Sequence, residues 1–194
     1  MTSHNRQRVF NYRVNAEDRI NHVSSEWLDF ARENDASDLD SETVIGQSIF
    51  QFVSNEETRH LYAMILDRVR TGRNEVVVPF RCDGPSVRRF MELEVSPRPK
   101  SHVQFQGRIV REEGRPAVPL LDSSINRGDD FLKICSWCKR VQAQREWLEV
   151  ELAVDKLELF NRKRLPQLTH GICEDCGVSL RRQLKDKRQG EQRP

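Results

Sequence analysis

The 194-residue chain has no apolar run near the ~18 residues a membrane-crossing helix requires, so no contact with a bilayer is expected. It has neither a P-loop nor a kinase glycine loop, which removes the common phosphoryl-transfer chemistries. Helix-turn-helix signatures are missing too. An excess of one charge is also lacking. Lys plus Arg number 32 against 30 Asp plus Glu, a net charge of +2, whereas a globally steered nucleic-acid binder would be more basic. Nothing at the N-terminus resembles a signal peptide, so a cytoplasmic, reducing setting is expected, and in that setting cysteines are not expected as structural disulfides.

What the sequence does have is a pair of dithiol pairs. Cys135-Ser-Trp-Cys138 and Cys173-Glu-Asp-Cys176 each place two sulfurs on one side of a tight turn, and two such turns supply the four thiolates of a tetrahedral site. Zn²⁺ suits such a set, and four thiolates leave no open position for a substrate. A thioredoxin-like centre would need one Cys-x-x-Cys in a βαβ setting, and here there are two and no such setting. A metal or thiol switch that responds to redox state is the lesser alternative. His170, three residues before Cys173, is a fifth donor: it either gives a hydrogen bond to a thiolate from outside the ligand set or replaces one cysteine in a Cys₃His site. Gly171 and Gly177 suit close approach of backbone to the sulfurs. Lys139 and Arg140 partly offset the thiolate charge. The insert between the pairs, "QREWLEVELAVDKLELF", spaces Trp147, Val150, Val154 and Leu157 at helical intervals, which predicts one helix over a metal-clamped base.

The zinc deaminase signature requires His-x-Glu, and His170 is followed by Gly171-Ile172, so the general acid/base is missing. With a closed thiolate site as well, an enzyme is not expected.

Upstream, Phe10, Tyr12 and Val14 alternate with polar residues, and after "NAED" the run Ile20 to Val23 completes a predicted hairpin. Ser24-Ser25 caps a short helix from Glu26 to about Arg32. "VIGQSIFQFV" predicts a short irregular helical passage. Ser54 and Glu57 form a capping box for the longest helix, with Leu61, Met64, Ile65 and Val69 as its buried stripe and Thr71-Gly72 at its end. Three strands follow, at Val76 to Cys82, Val87 to Val95 and Val103 to Ile109. This order predicts an α+β domain with helices over one face of an antiparallel sheet. Cys82, the spare thiol, is expected as a small buried hydrophobe in a strand.

The stretches "DRINHVSSEWLDFARENDA", "VIGQSIFQFVSNEETRHLY" and "RVRTG" with "VPFRCD" resemble bacterial PAS sensory domains, from about Phe10 to Arg111. "ICSWCKRV", "WLEVE" and "THGICEDC" resemble a cysteine-rich extension found after PAS or receiver domains in bacterial signalling proteins. The resemblance implies a sheet-and-helix pocket able to hold a small ligand, whose identity it leaves unknown, and strain passed on through the last strand. The reactive cysteine of the flavin-binding branch, in an Asn-Cys-Arg-type segment, has no counterpart. His60 on the long helix is the candidate for the haem-binding branch, against an ordinary surface histidine. His22 and His102 are expected as strand residues.

The expected organisation is therefore a disordered tail (1–8), a PAS-like sensory domain (9–112), a linker (113–132), a small helical module held by zinc on Cys135, Cys138, Cys173 and Cys176 (133–180), and a basic tail (181–194). Two functions compete. One is a non-enzymatic signalling module that homodimerises through the PAS-like domain and engages a partner protein through the zinc unit. The other is a zinc-containing transcriptional regulator that contacts nucleic acid through the module and tail, drawing on Arg181, Arg182, Lys185, Lys187, Arg188 and Arg193.

Overall fold

The computed structural model describes residues 8–34 and 36–186; residues 1–7, read above as tail, and 187–194, the end of the basic tail, lie outside them. Among the described residues the strands form two sheets.

The first sheet joins β1 (Val9–Val14), β2 (Ile20–Val23), β3 (Val76–Arg81), β4 (Val87–Pro97) and β5 (Val103–Gly114), in the order β2-β1-β5-β4-β3. Every neighbouring pair is antiparallel. Alternation fixes which residues turn inward, because a period of two sends every second side chain to the same face. On β4, Met91, Leu93 and Val95 are buried, and on β5 Val103 and Phe105 are, as the pattern predicts. Across one face lie α1 (Ser25–Glu33), α2 (Ser41–Val44), a 3₁₀ turn at Ile49–Gln51 and α3 (Glu56–Gly72). Ser24 caps α1 by accepting from the Trp27 amide. Helix α3 buries Leu61, Ile65 and Val69 against the sheet, and Met64 is half-buried beside them. Its cap differs from expectation by one residue. Asn55, not Ser54, accepts from the Thr58 amide at 2.8 Å, and Arg73 ends the helix in the left-handed region. The α+β class, with an antiparallel sheet and helices across one face followed by a small four-cysteine unit, is the one observed, but that second unit is not the helical module expected.

The second unit departs further from the prediction. It is built on a four-stranded sheet of β6 (Arg127–Cys135), β7 (Val141–Ala143), β8 (Glu146–Leu148) and β9 (Leu165–Gly171), ordered β8-β7-β6-β9. Strands β6 and β9 run parallel, so the chain between them crosses over the sheet. That crossover holds α4 (Val150–Lys156) and a 3₁₀ turn at Leu159–Asn161. The expected helix is thus cut short at its start: Trp147 lies in β8, paired with Gln142. Spacing alone misplaces Trp147 because its three-residue offset from Val150 suits a helix as well as a strand followed by a helix. Val118, Leu120, Ile134, Val141, Ala143, Val150, Ala153, Val154 and Leu159 form this unit's own apolar core.

Boundaries shift accordingly. Strand β6 begins at Arg127, inside the stretch read as linker. Helix α5 (Glu174–Asp186) extends past residue 180 and takes up Arg181, Arg182 and Lys185, read as tail.

Candidate metal centre and the cavity beside it

Each dithiol pair sits where two elements meet. Cys135 ends β6, and the chain turns through Ser136-Trp137-Cys138 into β7, with Lys139 in the left-handed region at φ 62°. Two backbone bonds close that turn, from the Cys135 amide to the Arg140 carbonyl (2.7 Å) and from the Lys139 amide to the Cys135 carbonyl (3.0 Å). Cys173 and Cys176 stand between β9 and the first turn of α5, where the Gly177 amide donates to the Cys173 carbonyl at 3.0 Å. The parallel pairing of Ile134 with His170 and of Cys135 with Gly171 brings the two turns side by side.

The four sulfurs lie within 4.8 Å of one another, and Sγ of Cys138 is 3.7 Å from Sγ of Cys173. A tetrahedron with metal–sulfur bonds of about 2.3 Å has edges of about 3.8 Å, whereas a disulfide would need about 2.05 Å. The donor set therefore fits a tetrahedral thiophilic ion, with Cys135 and Cys173 buried and Cys138 and Cys176 half-buried. Without the ion, thiols must satisfy one another. Hydrogen bonds from Cys138 and Cys176 pull the Cys135 thiol far below its ordinary value, and giving those bonds drives Cys176 far above it. Burial pushes Cys173 up to about 11. One ready thiolate amid reluctant thiols is the arrangement in which a divalent ion displaces protons.

The surroundings supply charge and donors. Arg140 reaches Sγ of Cys138 at 3.3 Å through Nε and Sγ of Cys173 at 3.6 Å, and its other contact is Asp175 at 2.9 Å. The Cys173 amide donates to Sγ of Cys135 at 3.4 Å. His170 is exposed on β9 and stands outside the group of four that could hold a metal ion among the described residues. The expected approach of Gly171 and Gly177 to the sulfurs is not what surrounds them: an added Cβ would meet the flexible side chain of Lys133 at 2.7 Å or of Arg181 at 3.0 Å, not a sulfur.

The knuckle between Cys135 and Cys138 packs on the first sheet. The indole N–H of Trp137 donates to the Pro79 carbonyl at 2.8 Å, and its own carbonyl accepts from the Arg81 amide at 2.8 Å. Trp137 meets Tyr62 edge-on at 6.1 Å and lies 6.4 Å from Phe80. Oγ of Ser136 contacts Thr58 (3.2 Å) and Asn55 (3.4 Å), the latter being the cap of α3. Glu57 accepts from the Ile172 amide at 3.1 Å. Leu180 and Leu184 of α5, with Cys135 and Cys173, join the first unit's core. A further charged seam lies at the β3–β4 end, where buried Arg81 pairs with Asp83 and Glu149, and buried Arg115 with Glu151 at 3.0 Å.

Between the units lies a cavity of about 410 Å³, within the range of roughly 300–1,000 Å³ usual for small-molecule sites. Its inner wall is aromatic: Tyr12, Trp27 and Tyr62 line it, and Phe10 meets Phe30 at 4.4 Å. Burial raises the phenols of Tyr12 and Tyr62, so both stay protonated donors. Ser136, Trp137, Lys139 and His170 come to its wall from the second unit. Cys82 also lines it, half-buried and one residue past β3 rather than inside it, with its thiol raised by burial. His60 is exposed on α3 and does not line this cavity. His22 is exposed on β2, and His102 lies in the β4–β5 turn, 3.3 Å from Asn21. The contribution of the knuckle to the cavity wall had no signal in the sequence, because it depends on how the two sheets dock.

No protein-family model matches the chain, and no curated protein does. Solved structures similar to it include the following two. A domain of HTR-like protein from Haloarcula marismortui ATCC 43049 shares 15% identity at a TM-score of 0.39, over 53% of this chain and 98% of that one. A sensory box sensor histidine kinase from Vibrio cholerae shares 13% at 0.38, over 53% and 81%. The fold assignment stands on strand order and register, independently of both. No helix among the described residues is long and apolar enough to cross a membrane.

Proposed function

We propose that this chain is a non-enzymatic signal-transduction module in a cytoplasmic setting. A PAS-like sensing and dimerising unit is coupled in it to a structural zinc unit that engages a partner protein. The observation that carries the reading is the docking of the Cys135–Cys138 knuckle into the wall of the sheet unit's cavity, through Trp137 and Ser136. A change inside the cavity would reach the metal turn through one side chain, and a change at the metal would reach the cavity the same way. Cys135, Cys138, Cys173 and Cys176 would hold the ion. His170, exposed and facing the cavity, is placed outside the ligand set in this reading.

Elemental analysis of the purified chain, with hydrogen exchange before and after chelation, tests the reading. About one zinc per chain is expected, and its removal should raise exchange in the second unit and around Pro79–Arg81. A chain with no bound metal, or one whose exchange near Pro79 ignores chelation, would overturn it. Light scattering should give twice the chain mass, and a monomer at every concentration would remove the dimerising role. The nucleic-acid reading would rest on Arg181, Arg182 and Lys185 of α5, which share the helix with Glu174 and Asp175. A steep salt dependence of duplex binding would favour it.

A further inference from the structure

The cavity has a polarity that its apolar lining does not explain. Its charged wall residues are Arg81, Lys139 and His170, and no aspartate or glutamate among the described residues lines it. Arg81 is spoken for, held by Asp83 and by Glu149 at 2.7 Å. Lys139 is different. Among the described residues it has no carboxylate within ion-pair distance, and its ammonium donates only to the Ser136 carbonyl at 3.1 Å, leaving two protons free. The left-handed backbone at Lys139 is set by the turn of the knuckle, so the side chain is carried to the cavity by the cysteine turn itself. Lys139, Ser136 and His170 are on the second unit's side of the cavity, which Cys82 lines as well. Away from that side the wall is Tyr12, Trp27, Phe30, Met91 and their apolar neighbours.

We propose that this cavity binds a compact organic monoacid, an aryl or short acyl carboxylate, with its apolar body among the aromatic residues of the first unit and its carboxylate on Lys139 and His170 of the second. An anion there completes the pairing that Lys139 lacks, and it ties the two units together across the knuckle. The volume limits the ligand to one ring or a short chain. The inference rests on the sensory reading above and names its ligand class.

The test is calorimetric titration of the full chain with 3-phenylpropionate and with the isosteric neutral 3-phenylpropionamide, alongside zinc analysis of the same sample. The acid is expected to bind about tenfold or more tightly than the amide, because a charge-assisted bond in a partly dry site is lost with the charge. K139Q should abolish that preference by bringing the affinity for the acid down to that for the amide, while K139R should keep it. Equal affinities for acid and amide in the unaltered protein, no binding of the acid at millimolar concentration, or an intact preference in K139Q would each overturn the proposal. If zinc is present and the preference absent, the ligand inference fails alone. If zinc is absent and the preference present, it is the zinc reading that fails.

Discussion

The two sheets hold together by different means. The first has long strands, with twelve residues in β5 and eleven in β4, and it buries large side chains such as Phe105, Leu61 and Ile65. The second has β7 and β8 of three residues each and a core of mostly Val, Ala and Leu. A sheet of such short strands buries too little apolar surface to offset its chain entropy comfortably, and small units of this kind commonly add a staple. With an ion bound, the four cysteines would be that staple, yet they are not in the middle of the unit they would hold. Cys135 and Cys173 pack with Trp137, Leu180 and Leu184 into the core of the first unit. The four-cysteine cluster is therefore a seam between the units, and a chemical event at the sulfurs would be felt on both sides.

The strongest way to break this comparison is to remove the staple. Chelation, or C135S, should unfold β7, β8 and β9 while the first sheet persists, since structural zinc supplies apparent binding energy of about 10–16 kcal/mol in small domains. Circular dichroism with hydrogen exchange would show whether the loss is confined to one unit. Cutting the seam comes next. W137A should cost about 3–5 kcal/mol in urea unfolding, leave zinc content unchanged and open the cavity to solvent. I65A, which deletes core on the first side only, should cost about 2–5 kcal/mol and likewise leave zinc in place. If W137A instead released the metal, the seam would be part of the clamp.

Smaller effects sharpen the same contrast. N55A should cost about 1 kcal/mol, since it removes the cap of α3 together with a contact to Ser136. Glu151 tests the charged seam through pH. Burial opposes its ionisation, but its own backbone amide and Arg115 outweigh that and hold its pKa below the usual carboxylate value. A depressed carboxylate contributes stability above its unfolded pKa of about 4.3 and loses it as pH falls through the folded value. E151Q should therefore lower stability near neutrality and flatten the acid limb of a stability–pH profile below about pH 4. An unchanged limb would show that the seam carries no coupling.

Where local chemistry decides, the sequence is legible. Alternation at Met91, Leu93 and Val95 needs only the two-residue period of a strand, and the stripe on α3 needs only the helical one. The two Cys-x-x-Cys turns are legible as one four-thiol set because each spacing puts its own two sulfurs on one side of a turn. The cap of α3 was read one residue early, since Ser54 and Asn55 are both good cap residues and only the backbone angles choose between them. Trp147 was read as helical because an apolar residue at that spacing satisfies two geometries. The parallel pairing of β6 with β9, by contrast, leaves no mark in either strand alone: it is a contact between residues far apart in the chain.

By itself, then, the sequence determined the elements whose cause is local: the strands of the first sheet, its long helix and the four-thiol set. Only the tertiary structure decided that the cysteine knuckle would press Trp137 into the first unit's core, that His170 would stand outside the sulfur cluster, and that Lys139 would reach a cavity that no acid among the described residues lines. The physical reason is range. Hydrogen bonds of caps and turns, and the periods of helix and strand, act within a few residues, whereas docking two sheets is the sum of many weak apolar contacts between residues far apart in the chain.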